Sequence, residues 1–326
     1  MNTQPIKLRL VDPETDFPRI AELMSMFEPE PVTAEDVHRW REQASAERIH
    51  HRMAALDEHG KLIGLNNVIR DPWMTAGLFW IDIVIDPSMH GQGVGSLLYA
   101  DALQFARQQH ATRLKANMHD DLPGSLRFAE RRGFKIDRHL FESTLDLQTF
   151  NEQRFAGLVE EVESGGIRFF SLADLGNTLE AQRKLYEINR RYALDIPGGE
   201  QDFPPFEQFQ KDVFAAPWYR PDAQIVAADG DRWIGLTAAG YFPTNNYMYN
   251  MITGVEPAYR GRHIALALKL LVIECARRYG AAYLRTNNDA ENAPMLAVNR
   301  KLGYQSQPGR YLLVRDLPGP GSPRPL

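Results

Sequence analysis

Three short landmarks recur in this chain about 170 residues apart, and that recurrence narrows its possible folds more than any other property. Ile63-Gly64-Leu65 returns as Ile234-Gly235-Leu236, an offset of 171 (234 − 63). Asp86-Pro87-Ser88-Met89-His90-Gly91 returns as Glu256-Pro257-Ala258-Tyr259-Arg260-Gly261, and Gly133-Phe134 returns as Gly303-Tyr304, both at an offset of 170. Each dipeptide alone is noise, but three in near-constant register mark a duplicated supersecondary unit. A chain of 326 residues has room for two cores of ordinary size.

The halves show the same order of signals. Each opens on a short strand pattern, Lys7 to Val11 and Ile167 to Ser171, followed by helical segments. Extended runs rich in β-branched and aromatic residues follow, 52–56, 62–70 and 78–85 in the first half, 224–228, 233–242 and 247–255 in the second. Their spacing predicts an antiparallel meander. A Pro and Gly turn then leads into an amphipathic helix, a strand, a second helix and a last strand. The pattern is α+β, used twice. Phe150 to Val159 reads as a connecting helix, and the polar stretch ending in Gly165-Gly166 as the boundary. The expected domains are 1–149 and 167–317, joined by 150–166, with a disordered tail at 318–326.

Lys and Arg number 37 against 42 Asp and Glu, a net charge of −5, which disfavours broad capture of nucleic acid or an anionic membrane. No apolar run approaches the roughly 20 residues of a membrane span, and Met1 to Leu10 lacks the apolar core of a secretory signal. With a single cysteine, Cys275, no intrachain disulfide can form, so a cytoplasmic location is the expectation.

The densest chemistry lies between residues 80 and 107. A strand with Ile81, Ile83 and Ile85 alternating against Asp82, Val84 and Asp86 stops at Pro87. His90-Gly91-Gln92-Gly93-Val94-Gly95 follows, and a helix begins at Ser96. Glycines let the loop curl until its amides converge, and the helix start adds open N–H groups and partial positive charge, so the segment can cradle a pyrophosphate. The second half offers Arg260-Gly261-Arg262-His263-Ile264-Ala265, where two arginines offset the lost glycine. Alone, such a loop reads equally as a tight turn without ligand. It is no Walker loop, because no Gly-Lys-Ser/Thr ends it, and no dinucleotide-type acid follows.

With the loops and the helix Asn292 to Leu302 running into Gly303-Tyr304, the chain resembles the GNAT superfamily of acyl-coenzyme A dependent N-acyltransferases. That family's phosphate motif is Gln or Arg, two residues, Gly, one residue, then Gly or Ala. The first half matches at Gly93 and Gly95 with His90 in the leading place; the second matches at Arg260 and Ala265 with His263 for Gly. The Asn-led helix is kept in the second half, whereas the first keeps only Ser125 to Arg132 before Gly133-Phe134. The resemblance covers both halves, a tandem arrangement also found in mycothiol synthase-like enzymes. It implies two mixed, mainly antiparallel twisted sheets flanked by helices.

The resemblance also implies acetyl-coenzyme A as acyl donor. Backbone around Val84 and Ile85, or Val255, would hold the acyl carbonyl, and residues 90–96 (His90, Gly91, Gln92, Gly93, Val94, Gly95, Ser96) or 260–265 (Arg260, Gly261, Arg262, His263, Ile264, Ala265) the pyrophosphate. Asn287, Asn292 and Asn299 would complete the cofactor contacts of the second half. Family members often place a Tyr four residues before the Gly of Gly-Phe as acid for the thiolate. Here those positions are Ala129 and Asn299.

Transfer to an amine needs a base, a polarised carbonyl and a proton for the leaving thiolate. Asp82, Asp86 and Glu256 stand on or beside the relevant strands as candidate bases, or as ordinary solvent-facing carboxylates, and a bound water relay is a substitute. Tyr249 and Tyr247 alternate on the second-half strand, as replacement acid or as packing. Trp218-Tyr219 and Pro204-Pro205-Phe206 fall in an insertion that either walls an acceptor pocket or anchors a loop. His50-His51 and His119-Asp120-Asp121 lack the spacing of a metal site, so no metal is expected. Cys275 reads as a buried small hydrophobe.

The reading that results is an N-acetyltransferase acting by direct attack of a primary amine on a small molecule, with the second half favoured as the working one. The alternative is a non-catalytic acyl-coenzyme A binding or assembly module. Use of aminoacyl-tRNA ranks last, because the charge is acidic. No nucleic-acid or membrane partner is expected, and two halves in one chain make a monomer plausible.

Overall fold

The computed structural model describes residues 6–28, 31–195 and 202–318. In chain order the first half gives β1 (Lys7–Leu10), α1 (Pro13–Ser25), α2 (Ala34–Gln43), β2 (Ile49–Leu56), β3 (Leu62–Arg70), β4 (Leu78–Ile85), α3 (Val94–Gln108), β5 (Arg113–His119), α4 (Pro123–Glu130) and β6 (Lys135–Asp146). The second gives α5 (Leu158–Ser164), β7 (Ile167–Ser171), α6 (Leu179–Leu194), α7 (Phe206–Phe209), β8 (Tyr219–Asp229), β9 (Arg232–Phe242), β10 (Tyr247–Val255), α8 (Ile264–Arg278), β11 (Tyr283–Asp289), α9 (Ala293–Leu302) and β12 (Gln305–Asp316). The repeat is visible in these bounds: α3, β5 and β6 recur as α8, β11 and β12 with the offset of 170 kept at both ends (264 − 94, 289 − 119, 316 − 146).

The helix expected over 150–159 is instead a 3-10 turn at Glu152–Phe155, and α5 starts after Gly157, whose φ of 78° breaks the run. Of the expected tail, only Pro318 lies among the described residues.

Two compact units form. One holds the described residues up to Met118, Leu122–Asp137 and the described residues from Tyr311; the other holds His119–Asp121 and Arg138–Arg310. They differ from the sequence halves by one strand each. In the second unit Arg138–Asp146 of β6 runs antiparallel to β11, from Tyr283 opposite Asp146 to Asp289 opposite Leu140, giving the order β6-β11-β10-β9-β8-β7. In the first, Tyr311–Asp316 of β12 lies beside β5, giving β1-β2-β3-β4-β5-β12. There Arg113 Nε donates to Asp316 at 2.7 Å, and Leu317 N to Thr112 O at 2.7 Å.

Apolar side chains hold each exchange. Leu313 and Leu317 are buried with Phe79, Leu114 and Phe134 on the α3 and α4 face of the first sheet. Leu145 and Leu147 are buried with Leu284, Leu302 and the α8 residues Leu268 and Val272 in the second. The opposite faces carry α1 and α2 in the first unit, through Phe17, Ile20 and Val37, and α6 in the second, through Leu185, Ile188 and Tyr192.

Candidate functional site

In both units the fourth and fifth strands of the sheet part company. β4 pairs parallel to β5 at Leu78, Phe79 and Trp80, and β10 pairs parallel to β11 at Tyr247, Met248 and Tyr249. Beyond Trp80 and Tyr249 no further pair is recorded among the described residues, so the strands open into a fork. Inside such a fork, backbone amides and carbonyls lack ladder partners and can bind an extended polar chain.

A cradle stands at the mouth of each fork. After β4 a 3-10 turn at Pro87–Met89 leads to Gly91 and Gly93 with φ of 77° and 88°, and α3 starts without a side-chain cap. After β10 the turn is Pro257–Tyr259, Gly261 and His263 have φ of 81° and 60°, and α8 also starts uncapped. His263 thus takes the left-handed conformation of the first-half glycine, at a cost of about 1 kcal/mol for a residue with a Cβ. Among the described residues the amides of Gly93, Val94 and Gly95, and of His263, Ile264 and Ala265, meet no carbonyl. Three open donors at a helix start are an anion site in either unit.

The side chains of the two loops are employed differently. Gln92 Nε2 donates to Ser88 O, Ser96 Oγ accepts from Arg132, and His90 is exposed. A Cβ at Gly95 would meet Ile85 Cδ1 at 2.9 Å and the Phe128 ring at 3.2 Å, so these side chains would have to shift to admit it. In the second loop Arg260 Nε donates to Val255 O and its Nη2 to Asp195, while Arg262 Nη2 donates to Gly165 O. These arginines tie the loop to the strand end and to α5 while keeping positive charge beside the open amides.

The forks are filled differently as well. β4 meets β3 in unbroken register, but β10 carries a bulge: Asn250 opposes Ala239 and Ile252 opposes Ala238, leaving Met251 unpaired and exposed. Asn250 fastens this bulge. Its Nδ2 lies 2.9 Å from Thr237 Oγ1, 3.0 Å from Ala238 O and 3.1 Å from Ile252 O, and its Oδ1 accepts from Lys269 Nζ at 2.9 Å and Thr253 Oγ1 at 3.0 Å. Thr286 on β11 donates to Asn250 O at 2.9 Å, at the point where the fork opens.

On the face away from α8, Tyr249 stands edge-on to Phe242, which stacks on Tyr247 and Trp218. Arg285, paired with Glu142, lies over the Tyr247 ring. Burial pushes the Tyr249 phenol above its ordinary 10, with the nearby Glu142 charge acting the same way. Glu256 is 5% exposed and both its oxygens are taken, by Arg191 at 2.7 Å and Arg232 at 2.6 Å. A carboxylate held by two guanidiniums suits an anchor for the strand end better than a proton acceptor.

In the first unit Asp82 belongs to a cross-strand row with Asn67 and Arg52; Asn67 Nδ2 donates to Asp82 at 3.4 Å and Arg52 Nε donates to Asn67 at 3.3 Å. His50 binds Asn67 too, and burial first, then Arg52, pushes its pKa down to about 4. Asp86 is held below the usual carboxylate range by Ser88 and Arg19. Val84 packs toward the α1 and α2 core, and Ile85 toward α3.

Of the asparagines, Asn292 caps α9 by accepting from Met295 N, and Asn287 is exposed on β11 opposite Glu142. Asn299 is 3% exposed; it donates to Asn288, while its own Oδ1 is buried without a partner. At the position of the family acid it can supply no proton. Trp218 crosses close over Gly240, whose Cβ would lie 2.5 Å from the indole. Phe206 packs with Tyr186, Phe209 and Phe214.

Among the described residues no group of three or more potential ligands could hold a metal. His139 binds Asp120, and His51 binds Asp101. Cys275 is buried, and burial pushes its thiol up to about 12. Sequence reasoning missed the bulge, the Asn250–Lys269 pair and the Arg285–Glu142 pair. An Asn and a Lys in otherwise apolar runs were the available signal for the first two.

The family model described as the acetyltransferase (GNAT) family matches residues 17–134 and again 184–304. Mycothiol acetyltransferase of Saccharomonospora viridis is 25% identical over 234 residues, 69% of this chain and 70% of that protein. The enzyme of the same name from Nocardioides sp. is 24% identical over 253 residues, 71% of this chain and 80% of that one. A GCN5-related N-acetyltransferase from Sphaerobacter thermophilus superposes with a TM-score of 0.72 at 18% identity, over 97% of this chain and 98% of that. A tandem GNAT protein from the clavulanic acid biosynthesis pathway does so with a TM-score of 0.72 at 18% identity, over 96% and 98%. At these identities the two structures speak to the fold.

Proposed function

The chain belongs to the acetyltransferase (GNAT) family, with two copies of its fold, and from that premise we propose that it transfers an acetyl or other short acyl group from coenzyme A to a primary amine of a small molecule, in the second unit. The observation that carries this reading is the bulged fork of β10 and β11 with open amides at its mouth. The amides of His263, Ile264 and Ala265, with Gly261, Arg260 and Arg262 alongside, would hold the pyrophosphate, and the freed backbone from Asn250 to Val255 would run along the pantetheine and acyl carbonyl. Asn287 on β11, Asn292 at the start of α9 and Asn299 on α9 are the further cofactor contacts of this reading. The bound thioester supplies an activated acyl group.

Proton movements are shared between one side chain and solvent. Tyr249 keeps its proton at neutral pH, so it can donate to the leaving thiolate, a weaker base than a phenolate, only at an energetic disadvantage. Glu256 fixes the strand end, and water on the aromatic face takes the proton of the amine. The first unit, with Asp82 in its Arg52 row and residues 90–96 as cradle, keeps binding without chemistry. We also place the boundary between the two repeats at 150–166, and the protein as a cytoplasmic monomer.

A second reading has its own support: Asn299 and Ala129 stand where a tyrosine acid would, so the chain would bind acyl-coenzyme A without transferring it. Isothermal titration with acetyl-coenzyme A, on wild type and on Gly93→Trp and Ala265→Trp, tests both. Heat lost in Ala265→Trp alone assigns the second unit, and release of free thiol in an amine screen then separates transfer from mere binding. No heat with wild type would end the acyltransferase reading.

A further inference from the structure

Lys269 sits in the second turn of α8, 1% exposed, and its ammonium group reaches a single hydrogen-bond acceptor, the Asn250 side-chain oxygen. An ammonium group carries three donors, so in the charged state two would be stranded in an apolar core. Burial alone pushes its pKa down, to about 7. α5, β8, β9, β10 and β11 pack on α8, and Leu302 of α9 and Tyr304 share its core. From them, among the described residues, no carboxylate, imidazole or second ammonium acts on Lys269. The titratable group at its side is the Tyr304 phenol, whose ring lies 5.2 Å away and whose hydroxyl is itself buried without a partner.

The repeat supplies a built-in control. By offset, Lys269 corresponds to Tyr99, a neutral side chain whose hydroxyl accepts from Arg315. By strand pairing, Asn250 corresponds to Ile81, the residue after the last paired position, in a strand without a bulge. Where one unit has two neutral side chains and a regular strand, the other has an amine, an amide and a bulge. The Asn250 amide bridges Ala238 O and Ile252 O across that bulge, and Lys269 and Thr253 hold the amide oxygen in turn.

We infer that Lys269 is a positioning residue for the acyl subsite: through Asn250 it sets the shape of the β10 bulge, and its neutral form holds the fork in the geometry that accepts the acyl group. This rests on the reading of the second unit as the acyl-binding one. Protonation turns the amine lone pair into a further N–H, leaving two without partners beside a buried charge, and the strain is relieved by movement of Asn250 and the bulge it spans. The acyl end of the thioester is therefore recognised better above pH 7 than below it. By linkage, the same ligand lowers the pKa of Lys269.

The test compares acetyl-coenzyme A with coenzyme A, since only the former fills the subsite, by isothermal titration from pH 6 to pH 9 in the full chain carrying Gly93→Trp to silence the first cradle. The preference for acetyl-coenzyme A is expected to rise about tenfold across pH 7, to be flat in Lys269→Met, and to stay at its low-pH value in Lys269→Arg. A purely structural lysine would lower both affinities together and leave their ratio independent of pH. The same pH dependence in Lys269→Met as with Lys269 intact overturns the inference and leaves the function standing, whereas failure of both ligands to bind this background removes the acyl-binding reading and the inference with it. Should the variants not fold, 13Cε signals of lysine in the chain with Lys269 intact report its titration directly. A midpoint lowered by about one unit with acetyl-coenzyme A relative to coenzyme A supports the proposal, and an unchanged midpoint refutes it.

Discussion

The first fork, between β4 and β5, and the second, between β10 and β11, are built on one backbone plan and filled in opposite ways. Both are paired over three residues and then open, and both end in a 3-10 turn, two left-handed residues and an uncapped helix. The first keeps the glycines and lines its outer face with Arg52, Asn67 and Asp82. The second accepts His263 in a glycine's conformation, inserts Met251 as a bulge, and lines the same face with Phe242, Tyr247 and Tyr249. Backbone geometry thus survives duplication because turns and helix starts tolerate many sequences, while the side chains that select a ligand are free to diverge.

The strongest way to break the comparison is to separate the halves where the sequence divides. A chain beginning at Phe150 lacks β6, which supplies the ladder on one side of β11 and Leu145 of the second core, and lacks Leu147 just past it. It should lose cooperative unfolding, by circular dichroism against denaturant, whereas a chain that also keeps residues 119–149 should retain it.

Next in size is the amine at position 269. Its folded pKa of about 7 lies below the ordinary 10.5, so the unfolded chain binds more protons between those values. The destabilisation is fully present below pH 7 and is relieved as pH rises from 7 toward 10.5. Melting of wild type measured against Lys269→Met should therefore show wild type gaining a few kcal/mol between pH 7 and pH 10. Parallel curves would mean that the amine never loses its charge.

Glu256→Gln sharpens the assignment of anchor against base. Removing the charge that Arg191 and Arg232 share should cost about 1–3 kcal/mol in thermal melts and leave the pH profile of acyl transfer unchanged. Loss of the limb in which activity falls as pH is lowered would restore Glu256 as the base.

The smallest effect is reciprocal. His263→Gly should stabilise the second unit by about 1 kcal/mol, and Gly93→Ala should destabilise the first by a similar amount, because both positions require positive φ. Differential scanning fluorimetry of the two variants measures both signs.

The repeat, the meander, the loops and the helix starts were legible in the sequence because local patterns fix them. The bulge was not. A shorter turn between β9 and β10 than between β3 and β4, Pro243–Asn246 against Asp71–Gly77, absorbs the extra residue, so the register of the landmarks hides it. The role of Glu256 depended on Arg191, 65 residues away in chain, and on Arg232, 24 away. The strand exchange was illegible for a different reason. β6 and β12 occupy the same place in the repeat, and no pattern of apolar residues states which of two similar sheets a strand will join.

That exchange fixes an order of events during synthesis. The sheet that contains the N-terminal strands receives its last member only with Tyr311–Asp316, whereas the other already has β6 in hand when its own strands emerge. The unit begun first is finished last, so its final pairing joins residues some 200 positions apart (316 − 113) and belongs to the slow, high contact-order class of folding steps. Until the ribosome delivers β12, the open edge of β5 is the part of the nascent chain most exposed to pairing with the wrong strand.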